Sequence, residues 1–398
     1  MNDVLAIDIA SDHSEFGLYS RYGEVLLTPT TIYHKRHLLE QLLDTIQEKT
    51  ETEVDIILES TSIYHLPISN FFIEHGYQVI ILNPIISSMF KSNLRKIKTD
   101  SIDCHNLAQI YFTNLYNKQF TVDKRYQELM YMSRQYDSLS QSQVRYKNRL
   151  RQILSVVFPE YKDVLPGKRL YERSNLEFLL QFPHPVIIRN TRVDRLANFF
   201  STHVHRRMKA HQTKARTFKD IAKDSLYAVG ANSEYVYNLQ QILKLILALT
   251  TEIDDLKVRL ITKANILPGM KEIQSIPGIG SFTAALLLAE LGDLNRFDNI
   301  SKVKAYCGLH PKVYQSGNTI NHSGRLVKTG NKLARKHLYN ATMGILRYSS
   351  INDPDNVFRQ YYIKKRNDGK HHYAAVVATS TKLLNVIYTL CTRNTLFK

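Results

Sequence analysis

Two stretches of apolar residues at alternating spacings of three and four constrain this chain more than any other feature. The first runs through Leu129, Met132, Tyr136, Leu139, Gln143, Tyr146, Leu150, Ile153 and Val157, with Gln143 as a polar break. The second runs through Leu239, Ile242, Ile246, Leu249, Ile253, Leu256 and Leu260. Such spacing lines up one face of a long helix and asks for a matching face. Either seam can find it in the other, as two antiparallel helices of one chain, or in a second copy of the chain, as a dimerisation stalk. Three regions follow: residues 1–122, a helical coiled-coil connector over 123–267 with a basic insertion, and 268–398.

The first region has a different period. Segments at Val4–Ile7, Glu15–Tyr19 and Val25–Leu27, with a turn over Arg21–Glu24, read as antiparallel strands. A helix is expected from His37 to Lys49, a strand at Val54–Leu58, a helix over about 63–75 and a strand at Tyr77–Leu82, with Pro84 marking the next loop. The order β-β-β-α-β-α-β-α describes an α/β domain with a mixed sheet. Residues 161–235 read as basic and irregular, with HVHRRMKAHQTKAR at 203–216 a candidate nucleic-acid contact. After Pro268-Gly269, the chain reads as mostly helical, with a loop-rich stretch near 311–330.

Charge narrows the partner. The 398 residues carry a formal net charge of +17, unevenly distributed. Residues 1–120 hold 9 Lys and Arg against 15 Asp and Glu, and the remainder holds 44 against 21. A basic body points to a polyanion. An acidic front is out of place beside phosphates unless a cation stands between. Three distant cysteines, Cys104, Cys307 and Cys391, outline neither a zinc site nor a disulfide framework, so a reducing cytoplasm is expected. No apolar run approaches the roughly 18 residues of a membrane span, and no membrane association is expected.

Four carboxylates stand out. Asp8 and Glu59 close apolar strands, and strand ends are where α/β sheets build sites. Asp100 and Asp103 open a helix at i, i+3, on one face. Taken singly they are a turn residue, a surface charge and a helix cap; together they suit two Mg²⁺ ions on a phosphodiester. Gly278 and Gly280, in Ile276-Pro277-Gly278-Ile279-Gly280, resemble the hairpin of a helix-hairpin-helix module that offers backbone amides to DNA. In Tyr314-Gln315-Ser316-Gly317 and the following HSGRLVKTGN, Ser316 is a candidate nucleophile in a turn, with Arg325, Lys328, Lys332 and Arg335 near in sequence to neutralise phosphate. A second Ser-Gly, at Ser323, stands close by, and a plain turn is the competing reading of both.

Together these segments resemble the DEDD transposases of bacterial insertion sequences, the insertion-sequence-110 family of bridge-RNA-guided recombinases. LAIDIA, ILEST and KTDSID are similar to its RNase H-like, RuvC-like amino-terminal domain; RYKNRLRQILSVVFPE to its helical connector; IPGIGSFTAALLLAELGDLNRF, AYCGLHP, QSG and GRLVKTGNKLAR to its carboxy-terminal transposase domain. The resemblance implies that Asp8, Glu59, Asp100 and Asp103 are a metal-binding tetrad and that Ser316 forms a covalent phosphoserine with DNA. It implies a structured guide RNA pairing with donor and target DNA, and a homodimer or homotetramer with sites composed from two protomers. The alternative is a Holliday-junction endonuclease that uses the same tetrad with water as nucleophile.

Overall fold

The computed structural model describes the chain apart from residues 1, 61–62, 83–99, 114–122, 166, 204–207, 317–318 and 327, and apart from the side chains of 100–102, 164, 167–168, 203, 311–316 and 319–326. The segment after Pro84 lies outside the described residues. The chain divides into two compact units, Met1–Val122 and Asp123–Lys398.

The first unit holds β1 (Asp3–Ile9), β2 (His13–Tyr19), β3 (Val25–Tyr33), α1 (Arg36–Lys49), β4 (Val54–Glu59), α2 (His65–Glu74), β5 (Gln78–Leu82) and α3 (Asp100–Phe112). Its five strands form one mixed sheet in the order β3-β2-β1-β4-β5. β1 pairs antiparallel with β2 and parallel with β4. Helices cover both faces, which is why β1 reads as an almost unbroken apolar run. Leu5, Ile7 and Phe16 share a core with Leu39 and Leu42 of α1 and Phe72 of α2. Val4, Ala6 and Ile57 share the opposite core with Cys104, Leu107, Ala108 and Tyr111 of α3. Because strand side chains alternate, Asp8 follows Val4 and Ala6 onto the α3 face.

The second unit begins with α4 (Lys124–Val157), α5 (Tyr161–Val164), a 3-10 turn at Gly167–Tyr171, α6 (Arg173–Gln181), α7 (Pro185–Asn190), α8 (Val193–His203) and α9 (Met208–Lys223). It continues through α10 (Glu234–Asn265), α11 (Met270–Gln274), α12 (Ser281–Leu291), a 3-10 turn at Leu294–Arg296 and α13 (Ile300–Cys307). The hairpin β6 (Pro311–Ser316) and β7 (Thr319–Leu326) precedes α14 (Lys332–Asn352), α15 (Val357–Asn367) and α16 (His372–Arg393).

The two apolar seams find each other within the chain. α4 and α10 run antiparallel, with Glu128 paired to Lys263 near one end and Gln143 Nε2 donating to Thr250 Oγ1 over 2.9 Å farther along. The polar break in the first seam thus has its own partner. Leu150, Leu154 and Val157 of α4 are buried with Val236, Leu239, Ile242 and Ile246 of α10. Tyr126, Leu129 and Met132 are buried with Leu256, Leu260 and Ala264. Of the two pairings open to the seams, the structure shows the one within the chain, with Leu239, Ile242, Ile246, Ile253, Leu256 and Leu260 buried.

Two expectations are corrected. Residues 161–235 are not irregular: α6, α8 and α9 bury Phe178, Phe200 and Phe218 in one aromatic cluster, with Phe178 and Phe200 stacked at 4.7 Å. Sequence periodicity missed this because the helices are short and carry many basic residues outward. The stretch 311–330 is not chiefly loop, since most of it is the β6–β7 hairpin. α16 is long and apolar enough to cross a membrane by length and composition, but Leu383, Leu384 and Ile387 lie in the protein core.

A candidate carboxylate site and a serine-bearing hairpin

The carboxylates of the first unit gather through three structural choices. Parallel pairing of β1 with β4 sets Ile7 beside Leu58, so Asp8 and Glu59 are next in step at the carboxyl ends of neighbouring strands. Antiparallel pairing of β1 with β2 sets Glu15 directly opposite Asp8. Neighbouring strands are about 4.8 Å apart, so three carboxylates stand in a row on the α3 face. α3 lies over this face and brings Asp103, which is 7% exposed, in its first turn. Asp100 opens the same helix; its side chain lies outside the described residues.

Cys104 reports how closely these groups converge. Its Sγ donates to the Glu15 carbonyl over 3.3 Å. Burial, reinforced by the carboxylates of Asp8, Glu15 and Asp103, pushes its thiol up to about 12. A thiol so disfavoured as thiolate is a small apolar spacer rather than a nucleophile. Glu15 is the residue that sequence reading missed. Its signal was its place in the alternation with Gly17 and Tyr19, which becomes informative only once the β1–β2 register is known. Among the described residues, no group of three His, Cys, Asp or Glu is gathered tightly enough to hold an ion by itself. The donor chemistry nevertheless fits a hard divalent cation, since the row offers carboxylate oxygens alone.

In the second unit, Ser316 is the last residue of β6 and pairs in register with Thr319 across the hairpin end. It closes a strand rather than sitting inside a turn. Ser323 lies within β7, next to His322, which pairs with Val313. The side chains of Ser316, Ser323 and Arg325 lie outside the described residues.

The segment after the hairpin is anchored from below. Asn331 caps α14, its Oδ1 accepting from the amides of Leu333 and Ala334 at 3.0 Å each. Its Nδ2 donates to Glu290 Oε2 over 2.8 Å, and Ser133 donates to Glu290 Oε1 over 2.9 Å. Glu290 is 1% exposed, and burial raises its carboxyl above the usual range. The Tyr306 hydroxyl donates to the Glu290 carbonyl. Arg335 is turned to this framework, donating to the carbonyls of Cys307 (2.9 Å) and Gly330 (3.3 Å). Lys332 and Lys328 remain exposed, Lys328 with a left-handed backbone, φ 56°. Glu290 had a sequence signal that went unread: it is the lone charge in the apolar run Ala284–Leu291.

Gly278 is explained by packing within the protein. Its φ is +89°, and a Cβ there would stand 2.8 Å from the Cα of Ile345 in α14. Gly280, the N-cap residue of α12, has φ −79° and open space around its missing side chain.

Comparison with known proteins matches two separate segments, and the first runs past the boundary of the first unit into α4. A DEDD, IS110-type model described as a transposase matches residues 5–159. A model described as transposase, IS116/IS110/IS902 family, matches residues 270–362. The chain belongs to the IS110/IS116 family of transposases. The transposase is 22% identical to an uncharacterised 44.8 kDa protein of insertion element IS116 from Streptomyces clavuligerus, over 99% of this chain and 95% of that one. It is 24% identical to an uncharacterised 43.6 kDa protein of insertion element IS110 from Streptomyces coelicolor, over 65% of this chain and 62% of that one. It is 28% identical to a pilin gene-inverting protein of Moraxella bovis, over 31% of this chain and 36% of that one. The transposase thus spans less than two thirds of the last two relatives.

Proposed function

We propose that this transposase cuts and rejoins donor and target DNA by strand transfer through a serine–phosphate linkage, with Asp8, Glu59, Asp100 and Asp103 holding Mg²⁺. The observation that carries the reading is the convergence of Asp8 and Glu59, at adjacent strand ends, with Asp103 on the helix laid over them. Carboxylates crowded on one face repel one another and repel DNA, and a divalent cation removes both penalties. Three antiparallel strands leading two parallel ones, with helices on both faces, support an RNase H-like domain over residues 1–122.

Bound Mg²⁺ supplies charge neutralisation at the phosphodiester. The chain's own part is orientation. β1 and β4 fix Asp8 and Glu59 through backbone pairing, and α3 fixes Asp103 through the buried Cys104, Leu107 and Ala108. The Ser316 hydroxyl attacks phosphorus: its Oγ–P bond forms, a phosphorus–oxygen bond of the DNA breaks, and the departing DNA hydroxyl takes up the proton. The phosphodiester energy is conserved in the linkage, so no nucleotide cofactor is needed, and the sequence contains no GxxxxGK[ST] phosphate loop. The anchored Asn331 and Arg335 hold the root of the hairpin, while the exposed Lys328 and Lys332 are free to meet phosphate. Inversion of a gene, named for the Moraxella relative, also requires rejoining as well as cutting. Target choice by a structured guide RNA and assembly into a homodimer or homotetramer complete the proposal; both rest on the family resemblance.

The test is covalency. With active DNA and Mg²⁺, the protein should yield a DNA adduct on denaturing gels. Ser316→Ala should bind DNA without an adduct, Ser323→Ala should keep it, and Asp8→Asn should lose strand exchange while melting normally. An adduct lost in the Ser323 variant and kept in the Ser316 variant would move the nucleophile. Cleavage to free ends, with no adduct in any protein, would replace strand transfer by junction cleavage with water.

A further inference from the structure

α4 and α10 are similar in length and pair along much of their lengths, yet their solvent faces differ in kind. The exposed side of α10 is mixed, with Glu234, Glu252, Asp254 and Asp255 among its charges. The exposed side of α4 is not. Arg134, Ser138, Arg145, Asn148, Arg149 and Gln152 follow one another at helical spacing and are all exposed. From residue 138 to 157, the helix contains no Asp or Glu at all. The two carboxylates of α4 that precede this stretch are both occupied, Glu128 with Lys263 and Asp137 with Lys336. Arg145 donates to the neutral Ser142 hydroxyl over 3.0 Å. Among the described residues, Arg134, Arg145 and Arg149 form no ion pair.

A second pair of cations flanks this face. Lys147 and Arg151 both lie against the ring of Tyr171, at 5.0 and 5.4 Å from its centre. Burial, with Lys257 adding to it, lowers the Lys147 ammonium below its usual range. Arg134 has the Glu290 carboxylate near it, whereas Arg145, Arg149, Lys147 and Arg151 lie in the carboxylate-free stretch of α4, where like charges are held at an electrostatic cost that a polyanion relieves.

We propose that this face of α4 is a docking surface for the backbone of duplex DNA, engaged along about 27 Å of helix. Arginine with Ser, Asn and Gln is the side-chain set that contacts phosphates. A long helix presents it as one stripe, which a duplex, with its dense line of phosphate charges, can lie along. Within 134–152 the aromatic residues, Tyr136 and Tyr146, pack against the two cores, so this stretch offers no ring to the bases of an opened strand; the exposed Tyr131 lies one turn before it. The surface lies outside the serine hairpin and the carboxylate row. The inference rests on DNA being the partner and not on the identity of the nucleophile or the metal.

The experiment is equilibrium binding of the full-length protein to a 30-base-pair duplex across a salt series. The Arg145→Glu/Arg149→Glu variant should bind at least about tenfold more weakly at about 0.1 M salt. Its plot of log affinity against log salt should be shallower by about 2, one for each phosphate that the variant leaves unneutralised. Its thermal melting should match the parent, because both residues are exposed and, among the described residues, form no ion pair. Lys244→Glu, on the exposed side of α10, controls for net charge and should leave the slope unchanged. Equal losses per charge in both variants would overturn a located surface. If a 30-base RNA hairpin bound more tightly than the duplex, and only its affinity fell in the arginine variant, the assignment to DNA would be wrong. Because the readout is binding without chemistry, an inactive Ser316 or Asp8 variant gives the same answer as the parent, and failure of the strand-transfer reading stays separate.

Discussion

Gly278 shows how one residue can look functional and be architectural. A glycine beside Pro277, before a helix, invites a reading of close approach to phosphate. The backbone at φ +89° and the 2.8 Å approach of a would-be Cβ to Ile345 make glycine a packing requirement at this position. Gly278→Ala is therefore expected to lower stability by about 1–3 kcal/mol, from left-handed strain plus a forced displacement of α14. Gly280→Ala, at φ −79° in open space, should change stability by less than about 1 kcal/mol. Thermal melting of the two variants distinguishes them; equal, small changes in both would return Gly278 to a purely DNA-facing role. Glu290 teaches the converse. A charge inside an apolar helix run is a structural commitment, and here it holds Ser133 and Asn331 at 2.9 and 2.8 Å.

At the level of elements, the decisive pair is α4 with α10. Apolar spacing specifies which face is buried, and it is silent on whose surface buries it. The structure chooses the same chain, through the long helical excursion of α5 to α9 that brings the second helix back antiparallel to the first. The consequence is testable. Ile246→Asp places a carboxylate at a fully buried position within the second core. It should cost several kcal/mol, on the order of a core cavity plus an unpaired buried charge. Circular dichroism should record loss of the cooperative helical transition. A variant that kept its melting temperature and only halved its sedimenting mass would restore the stalk. Self-association that keeps this pairing intact would use a surface other than this seam.

At the level of the molecule, two units with separate cores divide the proposed chemistry between them. The carboxylates belong to residues 1–122, and the serine hairpin to 123–398. Each unit has its own apolar interior: two clusters flank the sheet in the first, and two run along the helices in the second. A domain with its own core has what independent folding requires. Fragments 1–122 and 123–398 are expected to show separate cooperative melting transitions. A fragment that stayed molten alone and ordered only on mixing would contradict that independence.

The sequence by itself determined the periods. Alternation with runs of Val, Ile and Leu specified the strands of the first unit, and three-four spacing specified α4 and α10, because both patterns are set by local backbone geometry. It also exposed Asp8 and Glu59 as strand-closing carboxylates, and Asp103 as part of a helix opening. What it could not determine was adjacency. Glu15 entered the carboxylate row only through the register of β1 with β2, and register is a relation between segments that neither segment states alone. The β6–β7 hairpin was illegible because its serines, glycines and asparagine read as loop, while strand pairing overrode that local preference. The roles of Arg335 and Gly278 were fixed by the carbonyls and the helix that tertiary packing set beside them. Local physics therefore decided which elements form, and long-range packing decided which of their residues meet.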